Sequence, residues 1–216
     1  MNKLGVHALV WVGGWSHEEC EIAISKSAKL GYDYIEIPAL DPSSVDTKYT
    51  LKQLEKYKIG ATVSLGLPIH SDISSEDPNI VSKGEAMLNE ALRLSSEIGA
   101  THMCGILYSG FTKYMKPKTE KGMQNAAEVL YRIGEKAKEH NIQIGLEVVN
   151  RYETNLLNTG SEGVAMLNRI GSSNVNVHLD SYHMHIEESG LGNAIRDCGP
   201  NLGYFHVGES HRGYLG

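Results

Sequence analysis

Short β-branched runs alternate along this chain with longer stretches whose apolar positions recur every three to four residues. The first kind of pattern reads as buried strands and the second as amphipathic helices. Residues 4–11 form the first expected strand. Ser16 then opens a helix through a capping box with Glu19, and Gly31 closes it. A strand at 34–37 is stopped by Pro38, a helix covers 47–57, and a third strand covers 61–66. A loop rich in Pro, Ser and Asp leads to a long helix over 80–98 that ends at Gly99. Strands at 102–107, 143–149, 175–179 and 202–207 then alternate with helices at 120–140, 161–170 and 191–198.

Seven strands joined by six helices, in units of about 30 residues, imply parallel strands with right-handed crossovers. No linker or low-complexity segment divides them, so residues 1–216 are expected to form one domain. No GxGxxG follows the first strand, which disfavours an open dinucleotide-binding sheet. The expected fold is α/β, a (β/α)8 TIM barrel truncated after strand seven. Such a barrel typically takes about 250 residues, so the expectation is a parent chain about 60 to 90 residues longer, carrying the eighth βα unit.

The net charge of −6 disfavours nucleic acid and offers no basic patch to an anionic membrane. No apolar run is long enough to span a bilayer, and the first residues lack a signal-peptide layout. The three cysteines, at positions 20, 104 and 198, are widely spaced and read as free buried thiols in a reducing cytoplasm.

In a parallel barrel, functional side chains stand at the C-terminal ends of strands. Glu147 lies near the end of strand five, Asp180 at the end of strand six and His206 near the end of strand seven. Neighbouring strands lie about 4.8 Å apart, so these three side chains can converge. Each has an ordinary structural reading: a salt-bridge partner for Glu147, a turn cap for Asp180, a core histidine for His206. Together, embedded in apolar runs, they point to a divalent cation, because a buried carboxylate is costly unless it is paired or coordinating. Two carboxylates with one imidazole suit Mn2+, Mg2+ or Co2+.

The stretch Gly145-Leu146-Glu147-Val148-Val149-Asn150-Arg151-Tyr152-Glu153 resembles the segment of the ketose 3-epimerases that carries a metal-binding, proton-transferring Glu. Leu179-Asp180-Ser181-Tyr182-His183-Met184 and Phe205-His206-Val207-Gly208-Glu209-Ser210-His211-Arg212 resemble the same group, the D-tagatose and D-allulose (psicose) 3-epimerases of the xylose-isomerase-like barrels. The resemblance implies metal-dependent epimerisation of a ketose at C3 through an enediolate, with Mn2+ the first choice of ion. It implies Glu147, Asp180 and His206 as ligands and Glu147 as one proton-transfer group. The second such Glu is implied on the eighth strand. Glu153, His183 and Arg212 would hold the O1 to O3 end of the sugar, and Trp15, Gly66 and Gly105 fall near positions lining its pocket. Two departures bear on the far end of the sugar. Phe111 follows strand four where many relatives carry Trp, and His7 stands where many carry Tyr or Phe. A homo-oligomer, dimer or tetramer, is expected. The competing readings are an aldose–ketose isomerase on the same scaffold, a phosphodiesterase resembling endonuclease IV, and a catalytically incomplete sugar-binding fragment. The acidic charge opposes the phosphodiesterase. The lack of a Lys/Arg cluster favours an unphosphorylated sugar.

Overall fold

A computed structural model describes residues 2–112, 114, 116–213 and 215–216. Its strands are β1 (Gly5–His7), β2 (Tyr34–Pro38), β3 (Gly60–Leu67), β4 (His102–Gly110), β5 (Gln143–Glu147), β6 (Val175–Asp180) and β7 (Leu202–His206). They form one parallel sheet in the order β1 to β7. The helices α1 (His17–Lys29), α2 (Thr47–Tyr57), α3 (Pro78–Glu97), α4 (Glu120–Glu139) and α5 (Gly160–Ile170) follow the first five strands, and α6 (Ser181–Glu187) and α7 (Leu191–Cys198) both lie between β6 and β7. The sheet is curled, for side chains of β7 reach across the interior to β2 and β3. This is the architecture of a (β/α)8 barrel that stands open between β1 and β7, with the expected seven strands.

Two differences from the sequence reading have local causes. The first strand is only three residues long, because His7 Nδ1 accepts the N–H of Leu9 and turns the chain into a 3-10 turn over Ala8–Val10. The helix α6 was not expected. Asp180 starts it by accepting the N–H of Tyr182, while Ser-Tyr-His-Met-His-Ile-Glu has no regular apolar spacing to announce it. The capping box of Ser16 and Glu19 forms as expected, and Cys20, Cys104 and Cys198 are free and buried.

Alternation along each strand divides the core from the site. Ile35, Ile37, Ala61 and Val63 face outward into one apolar cluster with α1 and α2. Leu65, Leu67, Ile144, Leu146, Val175, Val177 and Leu179 face a larger one with α3, α4 and α5. The intervening residues turn inward, and on β2, β3, β5, β6 and β7 they include Glu36, Thr62, Ser64, Glu147, His178, Asp180, Tyr204 and His206. The barrel interior is therefore polar toward its C-terminal end while the sheet is held by apolar contacts outside.

Candidate active site

Paired register brings the strand ends together: Glu147 lies beside His178, and Asp180 beside His206. The Nδ1 atom of His206 is 3.7 Å from Glu147 Oε1 and 3.8 Å from Asp180 Oδ2. His183, on the first turns of α6, places Nε2 3.8 Å from Glu147 and 3.9 Å from Glu153. Two overlapping sets have ligand-type atoms all within 4.8 Å of one another: Glu147 with His178 and His206, and Glu147 with Asp180 and His183. Asp180 serves two purposes, since Oδ1 caps α6 and Oδ2 faces His206. The turn-cap reading and the ligand reading of this residue are compatible.

Burial and neighbouring charge drive the groups apart. Burial alone would raise the Glu147 carboxyl, but His178, His206 and His183 reverse this and hold it at about 2. Burial and the Glu147 charge both raise Asp180. Burial lowers His183 to about 4 and His178 to about 3, so both are neutral near pH 7. Burial works against protonation of His206 as well, yet Glu36 and Glu147 outweigh it and raise that imidazole well above its ordinary value.

Arg212 stands at the rim, with Nη2 3.4 Å from Glu153 Oε1 and 3.2 Å from His183 Nε2. The side chain stacks on Tyr182, its guanidinium carbon 4.0 Å from the ring centre. Glu153 also accepts from the Asn150 amide, and burial raises its carboxyl while Arg212 opposes the rise.

Other expected site residues are held by the protein itself. His7 Nδ1 is taken by the Leu9 N–H, so Nε2 carries the proton, 3.2 Å from Ser64 Oγ and 3.5 Å from Glu36 Oε1. Trp15 donates its indole N–H to Thr50 and packs on the cluster beneath α1 and α2. Gly66 lies under Phe111, whose Cβ is 3.2 Å from where a Gly66 Cβ would be. Phe111 is half exposed. Gly105 adopts φ +115°, and a Cβ there would stand 2.2 Å from the Leu65 carbonyl oxygen.

Glu36 was not among the expected site residues. It is buried, and Oε2 accepts from Tyr204 Oη (2.7 Å) and from His206 Nε2 (2.8 Å). Its signal in the sequence was the one used for Glu147: a carboxylate between two isoleucines of a short strand. His178 has a different peculiarity. It is fully buried against Tyr204 and His206, and neither ring nitrogen has a hydrogen-bond partner among the described residues.

The xylose isomerase-like TIM barrel family model matches residues 24–214. A ketose 3-epimerase of Arthrobacter globiformis is 44% identical over 99% of this chain and 74% of its own length. An L-ribulose 3-epimerase of Methylomonas sp. (strain DH-1) is 45% identical, again over 99% of this chain and 75% of its own. The chain belongs to the ketose 3-epimerases of the xylose isomerase-like TIM barrel family. A crystal structure of D-allulose 3-epimerase from Methylomonas sp. in complex with D-allulose superposes with a TM-score of 0.97 at 44% identity, covering all of this chain and 76% of that one. This chain thus spans about three quarters of the length of these relatives. Among the described residues, no helix is long and apolar enough to cross a membrane.

Proposed function

We propose that this chain, as one domain, carries the proton-abstracting half of a metal-dependent ketose 3-epimerase site, with Glu147 as the base. The observation that carries the reading is the place of Glu147 between His206 and His183, within 3.8 Å of both and beside Asp180.

The donor set fits a divalent cation. Glu147, Asp180 and His206 offer two carboxylates and one imidazole, and Nδ1 of His206 faces both carboxylates while Nε2 is engaged by Glu36. Among the described residues, no Lys or Arg forms an ion pair with Glu147 or Asp180. A cation held by these residues, Mn2+ first with Mg2+ or Co2+ as alternatives, would supply Lewis-acid stabilisation of negative charge developing on the ketose oxygens.

Glu147 removes the proton from C3. The C–H electron pair becomes the C2–C3 double bond, and the carbonyl π pair moves to O2. His183 donates through Nε2–H, and Arg212 through its guanidinium, to the O1 to O3 end of the sugar. Glu153 accepts from a hydroxyl at that end. The distal carbons pass toward Phe111 over Gly66, with Gly105 shaping the wall and His7 and Trp15 set behind it. Inversion requires the proton to return on the opposite face, the role that the resemblance gives to a Glu on an eighth strand.

The substrate is an unphosphorylated ketose, with L-ribulose and D-allulose the first to assay, since relatives carry those names. The same reading places the enzyme in the cytoplasm as a homo-oligomer, which sedimentation would measure. The decisive experiment is solvent exchange, which needs only one proton-transfer face. In D2O the protein exchanges deuterium into C3 of the ketose, and Glu147→Gln does not. Undiminished exchange in the variant removes Glu147 from the chemistry.

A further inference from the structure

We propose that Glu36 is the positioning residue of His206, holding the imidazole by Nε2 so that Nδ1 points between Glu147 and Asp180, where a cation would displace its proton. The proposal rests on the metal reading of Glu147, Asp180 and His206 given above. An imidazole binds a cation through one nitrogen, and what the other nitrogen touches fixes the ring's tautomer and orientation. Here the two nitrogens are sorted by geometry: Nε2 is 2.8 Å from Glu36, and Nδ1 faces the two carboxylates at 3.7 and 3.8 Å.

Glu36 is itself held through Oε2 from β7, while Oε1 has no hydrogen-bond partner among the described residues. The Tyr204 hydroxyl on β7 donates to Oε2. Since that proton is committed, the 2.9 Å contact between Tyr204 and Thr62 on β3 has Thr62 as donor. The protonated Nε2 of His7 on β1 stands 3.5 Å from Oε1. Ile35 and Ile37 on either side of Glu36 are fully buried in the outer core, so β2 cannot turn the carboxylate away without exposing them. Among the described residues no Lys or Arg pairs with this buried carboxylate, and His206 is its charged partner. Its hydrogen bond to His206 gives it a purpose in the site.

The test compares Mn2+ affinity by calorimetry for the wild type, Glu36→Gln and Tyr204→Phe, with the melting temperature of each metal-free protein and the ring 15N spectrum of His206 in the Mg2+-loaded protein. Glu36→Gln is expected to bind Mn2+ about 10- to 100-fold more weakly, the usual cost of losing such a partner. The metal-free melting temperature should fall as well, because the charge facing His206 is lost, and the His206 Nε2–H resonance of the Mg2+-loaded protein should move as its acceptor changes from carboxylate to amide. A purely structural Glu36 would lower the melting temperature alone, leaving the Mn2+ affinity of the folded variant and the spectrum of the loaded site unchanged. If Glu36→Gln does not fold, Tyr204→Phe, which frees one of the two bonds to Oε2, should still weaken Mn2+ several-fold. Wild-type affinity within about two-fold in whichever variants fold overturns the proposal. A wild type that binds no Mn2+, Mg2+ or Co2+ overturns the metal reading and this proposal with it.

Discussion

The main-chain N–H of Asn150 donates to Nδ1 of His183 at 3.1 Å. A main-chain N–H cannot be flipped, so Nδ1 must be the acceptor and Nε2 must carry the proton in the neutral ring. The Asn150 amide adds a second donor to the same atom at 2.8 Å, its own orientation set because Oδ1 accepts from Tyr152. The 3.2 Å approach of Arg212 to Nε2 therefore sets two donors side by side, and a sugar oxygen between them would accept from both.

This makes His183 a neutral hydrogen-bond donor rather than a base. Ring 15N spectra should show a bare Nδ1 and a protonated Nε2 across about pH 5 to 8, because burial pushes the imidazole down to about 4. Replacing it, as His183→Ala, should cost roughly 10²- to 10³-fold in kcat, the usual cost of one donor to a developing oxyanion. Protonation of Nδ1 near neutral pH would contradict the assignment.

Gly105 separates two explanations for a glycine near the site. Its φ of +115° and the 2.2 Å approach of any Cβ to the Leu65 carbonyl make it a requirement of the backbone where β3 and β4 pair. Gly105→Ala should destabilise the protein by roughly 3 kcal/mol or more in urea denaturation. If the variant melts as the wild type does and changes only KM, its role is to line the pocket.

The βα alternation was plain in the sequence because both strand and helix patterns are strong and the outer core needs them. Glu147, Asp180 and His206 were legible for a related reason: a charge in an apolar strand must be explained. Glu36 obeyed the same logic but sits at mid-strand in β2, away from the ends where function was sought. The tautomers of His7 and His183 were not legible, since they depend on the N–H groups of Leu9 and Asn150, which only the folded backbone brings into place. The bond from the Trp15 indole N–H to Thr50 was likewise not legible, since only the packing of α1 on α2 brings the two together.

Phe111 and Gly66 should act as a pair in choosing the sugar. An added methyl at Gly66 would meet Phe111 at 3.2 Å and push against this half-exposed side chain. Both Gly66→Ala and Phe111→Trp should reorder four- to six-carbon ketoses by kcat/KM, by about ten-fold for the most affected sugar, the scale of one methylene in an apolar pocket. An unchanged order in both variants would place selectivity elsewhere.

The loop that carries Asn150 and Glu153 is clamped to α6 by charge. Glu187 accepts from the main-chain N–H of Arg151 at 2.7 Å and from two guanidinium nitrogens at 2.9 and 2.7 Å. These bonds, those of the Arg151 side chain first, hold the Glu187 carboxyl below its ordinary value of 4.5. A carboxyl lowered by folding contributes stability that is fully present above its unfolded pKa and is lost as pH falls through the folded one. Glu187→Gln should therefore melt below the wild type at pH 7, and the gap should close as the pH falls below about 4. The gap should be modest, because Arg151 is largely in solvent and screened there. The same variant should raise KM for the ketose more than it lowers kcat, since the loop positions Glu153 rather than the proton-transfer group. A melting gap as large at about pH 3 as at pH 7 would mean that packing, not the charged clamp, fixes this loop.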